Sequence, residues 1–230
     1  MENDKALFRV PVFPLPQVTL FPQMVLPLHI FEPRYLELLQ DCLAGDRRFV
    51  IAQPLTEEAD QLSETRPGYV HNGEAPPLHS VGAVGEIVAA QELPDARWNI
   101  LLQGQERVEL VEELSENPAA YRLFRARQLP DYPLSAESDL DSLTQRLRDV
   151  VTQLGSGDKS LAEVCDFILV GGRNLELLGH LLCAHLVAHP GERQRLLEER
   201  SLIERSEQLC SLLTRRLLLQ LDTGAGLEIH

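Results

Sequence analysis

The residues whose types and spacing come nearest to chemistry lie in the second half of the chain. Ser156 and Lys159 stand three apart, the interval that sets a nucleophilic hydroxyl and a lysine base on one helical turn in penicillin-recognising enzymes. Gly155, Gly157 and Asp158 surround the serine, and that composition favours a surface turn over a helix. The KTG partner of such a site has no candidate either, because Lys5 is the only other lysine. Read as a phosphate loop, Gly155 to Ser160 fails at Asp158, which stands where that loop places the glycine whose N–H faces phosphate.

His180, Cys183, His185 and His189 concentrate metal-capable groups. At about 100° per residue, His180 and Cys183 point away from His185 and His189, so one helix cannot gather all four. His185 and His189 alone have the i, i+4 interval of a zinc pair, but Leu186, Val187 and Ala188 leave no place for the glutamate of HExxH. Packing or helix-terminal roles are the expectation for both. Glu57, Glu58, Asp60 and Glu64 lack the alternating ligand spacing and the glycine of a calcium loop, which leaves a solvated loop. No GxSxG elbow occurs, and Val170 to Asn174 falls short of a dinucleotide fingerprint. The residues therefore predict no catalytic centre, no cofactor, no metal and no enzymatic activity.

The elements that surround these residues fall into two halves. With 44% of its 230 residues hydrophobic, the chain can bury a core without staples. Phe8 to Val12 alternates as a strand and enters a Pro-rich stretch, Leu15 to Leu28, that reads as irregular. Pro33 suits the first turn of a helix carrying Tyr35, Leu36, Leu38, Leu39, Cys42 and Leu43 as its apolar stripe, and Gly45 stops it. Phe49 to Ala52 reads as a strand. A long polar loop follows, to about Ser80. Val81 to Gln91 and Trp98 to Leu102 form a hairpin around Leu93 to Arg97; Gly104 interrupts before Val108 to Val111, and Tyr121 to Arg127 adds one more strand. Beyond Pro130 the leucines become helically periodic over Leu140 to Leu154, Leu161 to Leu169, Leu175 to Val187 and Glu192 to Leu221.

The motifs along this first half appear in a recognisable order. Val10-Pro11-Val12-Phe13-Pro14-Leu15-Pro16 is followed by Leu20-Phe21-Pro22, Leu26-Pro27-Leu28 and Phe31-Glu32-Pro33-Arg34-Tyr35. Phe49 to Gln53, Val81 to Ile87, Leu93-Pro94-Asp95 and Gly104 before Arg107 come next. The series resembles the Lon N-terminal, or LON substrate-binding, domain family over about residues 8 to 215. That resemblance implies an α+β fold: a PUA-like pseudo-β-barrel with a C-terminal α-helical subdomain. In full-length Lon proteases the domain precedes ATPase and Ser-Lys peptidase modules and helps capture unfolded or tagged substrates. Here it implies a stand-alone relative lacking both modules.

The boundaries expected are 1–130 for the barrel with one inserted helix, 131–222 for the helices and 223–230 for a disordered tail. The function expected is binding of polypeptide clients or partner proteins through the barrel face and the groove beside the helices. Phe21 and Met24, within the apolar stretch Val18 to Leu28, and Arg34 and Tyr35, at the helix start, are the candidate partner-binding residues. The alternative is PUA-like RNA binding through Arg122, Arg125 and Arg127. A net charge of −14 opposes it by repelling phosphate backbones.

Four widely spaced cysteines, Cys42, Cys165, Cys183 and Cys210, without CxxC spacing read as reduced buried thiols. Prolines break the apolar residues near the start, and no segment approaches the ~20 apolar residues of a membrane span. A cytoplasmic protein without membrane contact is the expectation.

Overall fold

The computed structural model describes residues 6–55, 76–134, 139–156 and 159–225. The chain divides into two compact units, Met1–Pro130 and Asp131–His230, and is mixed α+β as expected.

In the first unit β1 (Phe8–Pro14), β2 (Val25–Ile30), β3 (Arg48–Ala52), β4 (Val81–Glu92), β5 (Trp98–Glu113) and β6 (Arg122–Gln128) form one sheet, joined by α1 (Pro33–Ala44). The strand order is β2-β5-β4-β3-β1-β6, and β6 returns to pair with β5. This second pairing closes the sheet into a barrel. The 16 residues of β5 serve two partners along one edge: Trp98 to Gln103 pair with β2, and Val108 to Glu113 pair with β6. All pairings are antiparallel except β1 with β3, whose connection runs through β2 and α1, as a parallel pair requires a crossover.

Two cores explain the strand sequences. Val10, Val12, Val50, Ala52, Val84, Val108, Phe124 and Ala126 fill one. Phe13, Phe49, Ile51, Ile87, Ile100 and Leu102 meet Tyr35, Leu38, Leu39 and Cys42 of α1 in the other. Successive residues of β3 alternate between these cores, so Phe49 to Ala52 reads as an unbroken apolar run and not as an alternation.

The stretch Leu15 to Leu28 is not wholly irregular, because β2 occupies its end. Pro27 disguises it, since proline ordinarily disqualifies a central strand. Before it, Met24 N–H donates to the Phe21 carbonyl (3.2 Å) across Pro22 and Gln23, with Gln23 at φ 67°. Gln23 N–H donates to the Gly104 carbonyl and Gly104 N–H to the Met24 carbonyl, both at 2.8 Å. This turn and bulge dock the incoming chain on Gly104. A Cβ there would fall on the Phe21 carbonyl, so only glycine permits the approach. Gly104 does not end its strand; the ladder passes through it, with Gln105 as the extra residue between the Val84–Glu106 and Gly85–Gly104 pairs.

The second unit contains α2 (Leu140–Leu154), α3 (Lys159–Gly171), α4 (Leu175–Leu186), α5 (Pro190–Glu198) and α6 (Leu202–Ala225). Side-chain caps start three of them: Asp139 accepts from Ser142 N–H (2.9 Å), Asn174 from Leu177 N–H (2.8 Å) and His189 Nδ1 from Gly191 N–H (3.2 Å). These satisfy donors that a helix leaves open at its first turn.

The single helix expected over Glu192 to Leu221 is two. Glu199 is extended (φ −67°, ψ 120°), and Ser201 Oγ accepts from Glu204 N–H (3.2 Å), opening a new helix. The buried Arg205 guanidinium holds the break, donating to the Glu199 carbonyl (2.8 Å) and to both Asp131 carboxylate oxygens (3.0 and 2.8 Å). Leucines recur on both sides of the break, at Leu196, Leu197, Leu209 and Leu213, so the segment reads as one long helix. α6 extends to Ala225, three residues into the segment expected as tail, and 226–230 lie outside the described residues. No described helix is long and apolar enough to cross a membrane.

Candidate interaction surface

β2, the first half of β5 and the end of β4 form a three-stranded ribbon with two unlike faces. Leu26, Leu28, Ile30, Ile87, Ala90, Trp98, Ile100 and Leu102 belong to the core beside α1. The alternate residues face away from it. Register sets Pro27 directly opposite Leu101, Leu101 opposite Ala89, and Val25 opposite Gln103. Val25 is 53% exposed, Val88 47% and Leu101 41%, and Pro27 and Ala89 are exposed with them. The result is an apolar band across all three strands. Gln103, Gln91 and Asn99 are polar neighbours on the same face, Asn99 Oδ1 accepting from the His29 Nδ1 at 2.8 Å, and beyond Gln103 its row continues to Glu86 and Arg48. Phe31, exposed just beyond β2, has its ring 5.9 Å from that of His29. Isolated exposed apolar residues mean little, but a contiguous band rimmed by polar groups is the usual form of an interaction surface.

The residues singled out from sequence are placed differently. Phe21 is a core residue at 1% exposure and Tyr35 is buried beneath α1, stacked on Phe13 at 4.0 Å. Burial pushes the Tyr35 hydroxyl pKa up. Met24 is half-buried and adjoins the band. Arg34 lies over the Tyr35 ring at 4.6 Å and pairs with Glu32 at 3.0 Å, which fixes the entry to α1. The stretch Val18 to Leu28 thus divides, with Leu20 and Phe21 going to the core and Val25 and Pro27 to the surface. The latter two were marked in the sequence only by the alternation of β2.

Arg122, Arg125 and Arg127 do form a row on β6, but β5 answers each. Arg122 pairs with Glu113 (2.5 Å), Arg125 with Glu112 (3.1 Å) and Arg127 with Glu109 (2.7 Å). Cross-strand register brings these carboxylates in from a part of the chain 9 to 18 residues away, so the local basic strip is neutralised.

Ser156 Oγ donates to the Gln153 carbonyl at 2.7 Å and so continues the α2 terminus; Gly157 and Asp158 lie outside the described residues, as do Glu57, Glu58, Asp60 and Glu64. His185 packs edge-on to Phe167 (5.6 Å), His189 caps α5, and His180 and Cys183 are buried in α4. Among the described residues no three His, Cys, Asp or Glu side chains are grouped to hold a metal. All four thiols are free and buried. Burial pushes Cys183 up to about 12, and burial with the Asp46 and Asp41 carboxylates does the same to Cys42, the opposite of what a thiolate nucleophile needs.

Residues 9–215 match the family described as the ATP-dependent protease La (LON) substrate-binding domain. Among curated proteins, a Lon protease of Cytophaga hutchinsonii is 24% identical over all of this chain and 27% of its own length. Lon protease 2 of Herpetosiphon aurantiacus is 28% identical over 90% of this chain and 24% of its own length. The chain therefore spans about a quarter of the relatives it matches. Among solved structures, the N-terminal domain of a Mycobacterium avium complex Lon protease superposes with TM-score 0.67 at 16% identity, covering 90% of this chain and 98% of that one. A Lon N-terminal domain protein from Xanthomonas campestris gives 0.58 at 21% identity, covering 89% and 98%. These two share the fold, and the match over residues 9–215 assigns the lineage: the chain belongs to the LON substrate-binding domain family.

Proposed function

We propose that this protein is a non-catalytic module that binds segments of other polypeptides, unfolded clients or partner proteins, through the outer face of the β2-β5-β4 ribbon. Membership of a substrate-binding family supports the class of activity. The observation that carries the location is the uncharged apolar band of Val25, Pro27, Val88, Ala89 and Leu101, left exposed in a chain of net charge −14. Arg34 and Met24 border this region of sequence and are proposed as auxiliary contacts; Phe21 and Tyr35 support it from within.

Binding is the whole of the proposed activity, without a cofactor. The RNA-binding alternative loses its main support with the Glu109, Glu112 and Glu113 pairings, which leave β6 no net positive strip.

The test uses fluorescence anisotropy with a labelled dodecapeptide in which leucine alternates with serine. Leu101→Asp places a carboxylate at the centre of the band without touching the core. Weakening of about tenfold or more, the effect of removing a central contact, supports the reading. Undiminished binding with an unchanged melting temperature removes the band from it.

A further inference from the structure

We infer that the ribbon reads its polypeptide through side chains laid across its outer face and not by accepting an added strand; the inference rests on the proposal that this face binds polypeptide. An exposed sheet edge is a ready template for strand addition. This ribbon has two edges that no other described strand pairs, the outer edge of β2 and that of β4 beyond Ile87. Both are obstructed, each by a different device.

The register fixes which backbone groups face outward. Gly104 and Met24 form a hydrogen-bonded position, so with a period of two Leu26, Leu28 and Ile30 also bond to β5 through Leu102, Ile100 and Trp98. Val25, Pro27 and His29 therefore turn their backbone groups to the open edge. Pro27, the central one of the three, has no N–H to offer, and its ring occupies the space an incoming carbonyl would need.

The same alternation sends Leu101 and Asn99 toward β4, where they meet Ala89 and Gln91. Ala90 and Glu92 are left facing the open side. Ile87 confirms the phase from the other direction, since its N–H donates to the Arg47 carbonyl (2.8 Å) on the β3 side. The register shift between Ile87 and Ala89 makes Val88 an extra residue, and the short edge beyond it ends at the carboxylate of Glu92. A bulge and a charge are the other common means of closing an edge.

With both edges closed, the apolar face is what remains available. Its occupant is an apolar segment of another polypeptide, because Val25, Pro27, Val88, Ala89 and Leu101 offer no charged partner across the centre of the face; the charged side chains of the same face, Glu86 opposite Gln103 and Arg48 opposite Glu86, lie in one row at its end. Face-on docking asks for apolar side chains at suitable spacing and makes no demand on backbone N–H groups or on chain direction.

The experiment compares the leucine/serine dodecapeptide with two twins, one N-methylated at odd residues and one at even residues, on the full-length protein. An added strand turns alternate N–H groups to the edge, so strand addition would cost one of the twins about tenfold or more. The expected result is that both twins bind within about threefold of the parent, and that Pro27→Val, which restores the central donor, makes one twin weaker than the other.

A tenfold loss for one twin on the wild-type protein overturns the inference and leaves polypeptide binding intact, as does a Pro27→Val protein that stays indifferent to methylation. Failure of the parent peptide to bind, or its indifference to Leu101→Asp, overturns both readings together.

Discussion

Gly104→Ala tests how the ribbon is held to the barrel. The new Cβ would fall on the Phe21 carbonyl oxygen, 3.0 Å from its carbon and 3.3 Å from Leu20 Cδ1. The first two are backbone atoms, so relief requires moving the chain before β2. That movement breaks the Gln23–Gly104 and Gly104–Met24 hydrogen bonds, worth about 1 kcal/mol each. Overpacking beside the fully buried Leu20 and Phe21 adds about 1–3 kcal/mol. The expected loss is about 3–5 kcal/mol, a large share of the roughly 5–15 kcal/mol that stabilises a domain. Trp98, the only tryptophan, lies in β5 within the same core, so its fluorescence during urea unfolding reports on this unit. At about 2 kcal/mol/M the midpoint should fall by roughly 2 M. A loss below about 1 kcal/mol, with the Trp98 emission unchanged, would refute the claim that close backbone approach dictates glycine here.

Three further outcomes are expected. Gly179 lies in α4, and a Cβ there meets nothing within 4 Å, so Gly179→Ala should raise stability by about 0.5–1 kcal/mol in thermal unfolding, through helix propensity alone. Replacing Glu109, Glu112 and Glu113 together by glutamine frees three arginines and should make the protein bind single-stranded RNA in a salt-sensitive manner by filter retention, where the wild type shows no such binding. For the thiols, the folded Cys42 and Cys183 values lie above the ordinary value near 9. Folding then holds protons that the unfolded chain releases, so stability is intact below about pH 9 and falls as pH rises toward 12. Urea midpoints at pH 8, 9 and 11 should show the decline, and a disulfide exchange reagent should label none of the four cysteines of the native protein at pH 8.

Much of the fold was legible because its signals are local. Pro33 and Gly45 bracket α1, and the apolar period of Leu140 to Leu154 coincides with α2. The Val81 to Leu102 hairpin announced itself by its turn, where Asp95 and Ala96 adopt φ of 73° and 57°. Two elements escaped for physical reasons. A proline within β2 is tolerated only because it faces an open edge, and edge position depends on partners elsewhere in the chain. The break between α5 and α6 is held by Arg205 and Asp131, which are 74 residues apart.

The candidate interaction surface was less legible, for a reason that follows from sheet geometry. In β2 the residues of the core and those of the surface are equally apolar, so hydrophobicity alone sorts neither Leu26 from Val25 nor Leu28 from Pro27. Phe21 attracted attention as a large apolar side chain in a Pro-rich stretch, and size is what commits it to the core. The arginines of β6 read as a local basic strip because a charge is assessed along the chain while its partner arrives across the ladder. In both cases the missing information is register, which assigns each residue a face and a neighbour. The proposed binding face carries no motif for that reason: it combines exposed apolar residues of three strands with an edge whose central residue, Pro27, has no N–H, and only pairing brings these together.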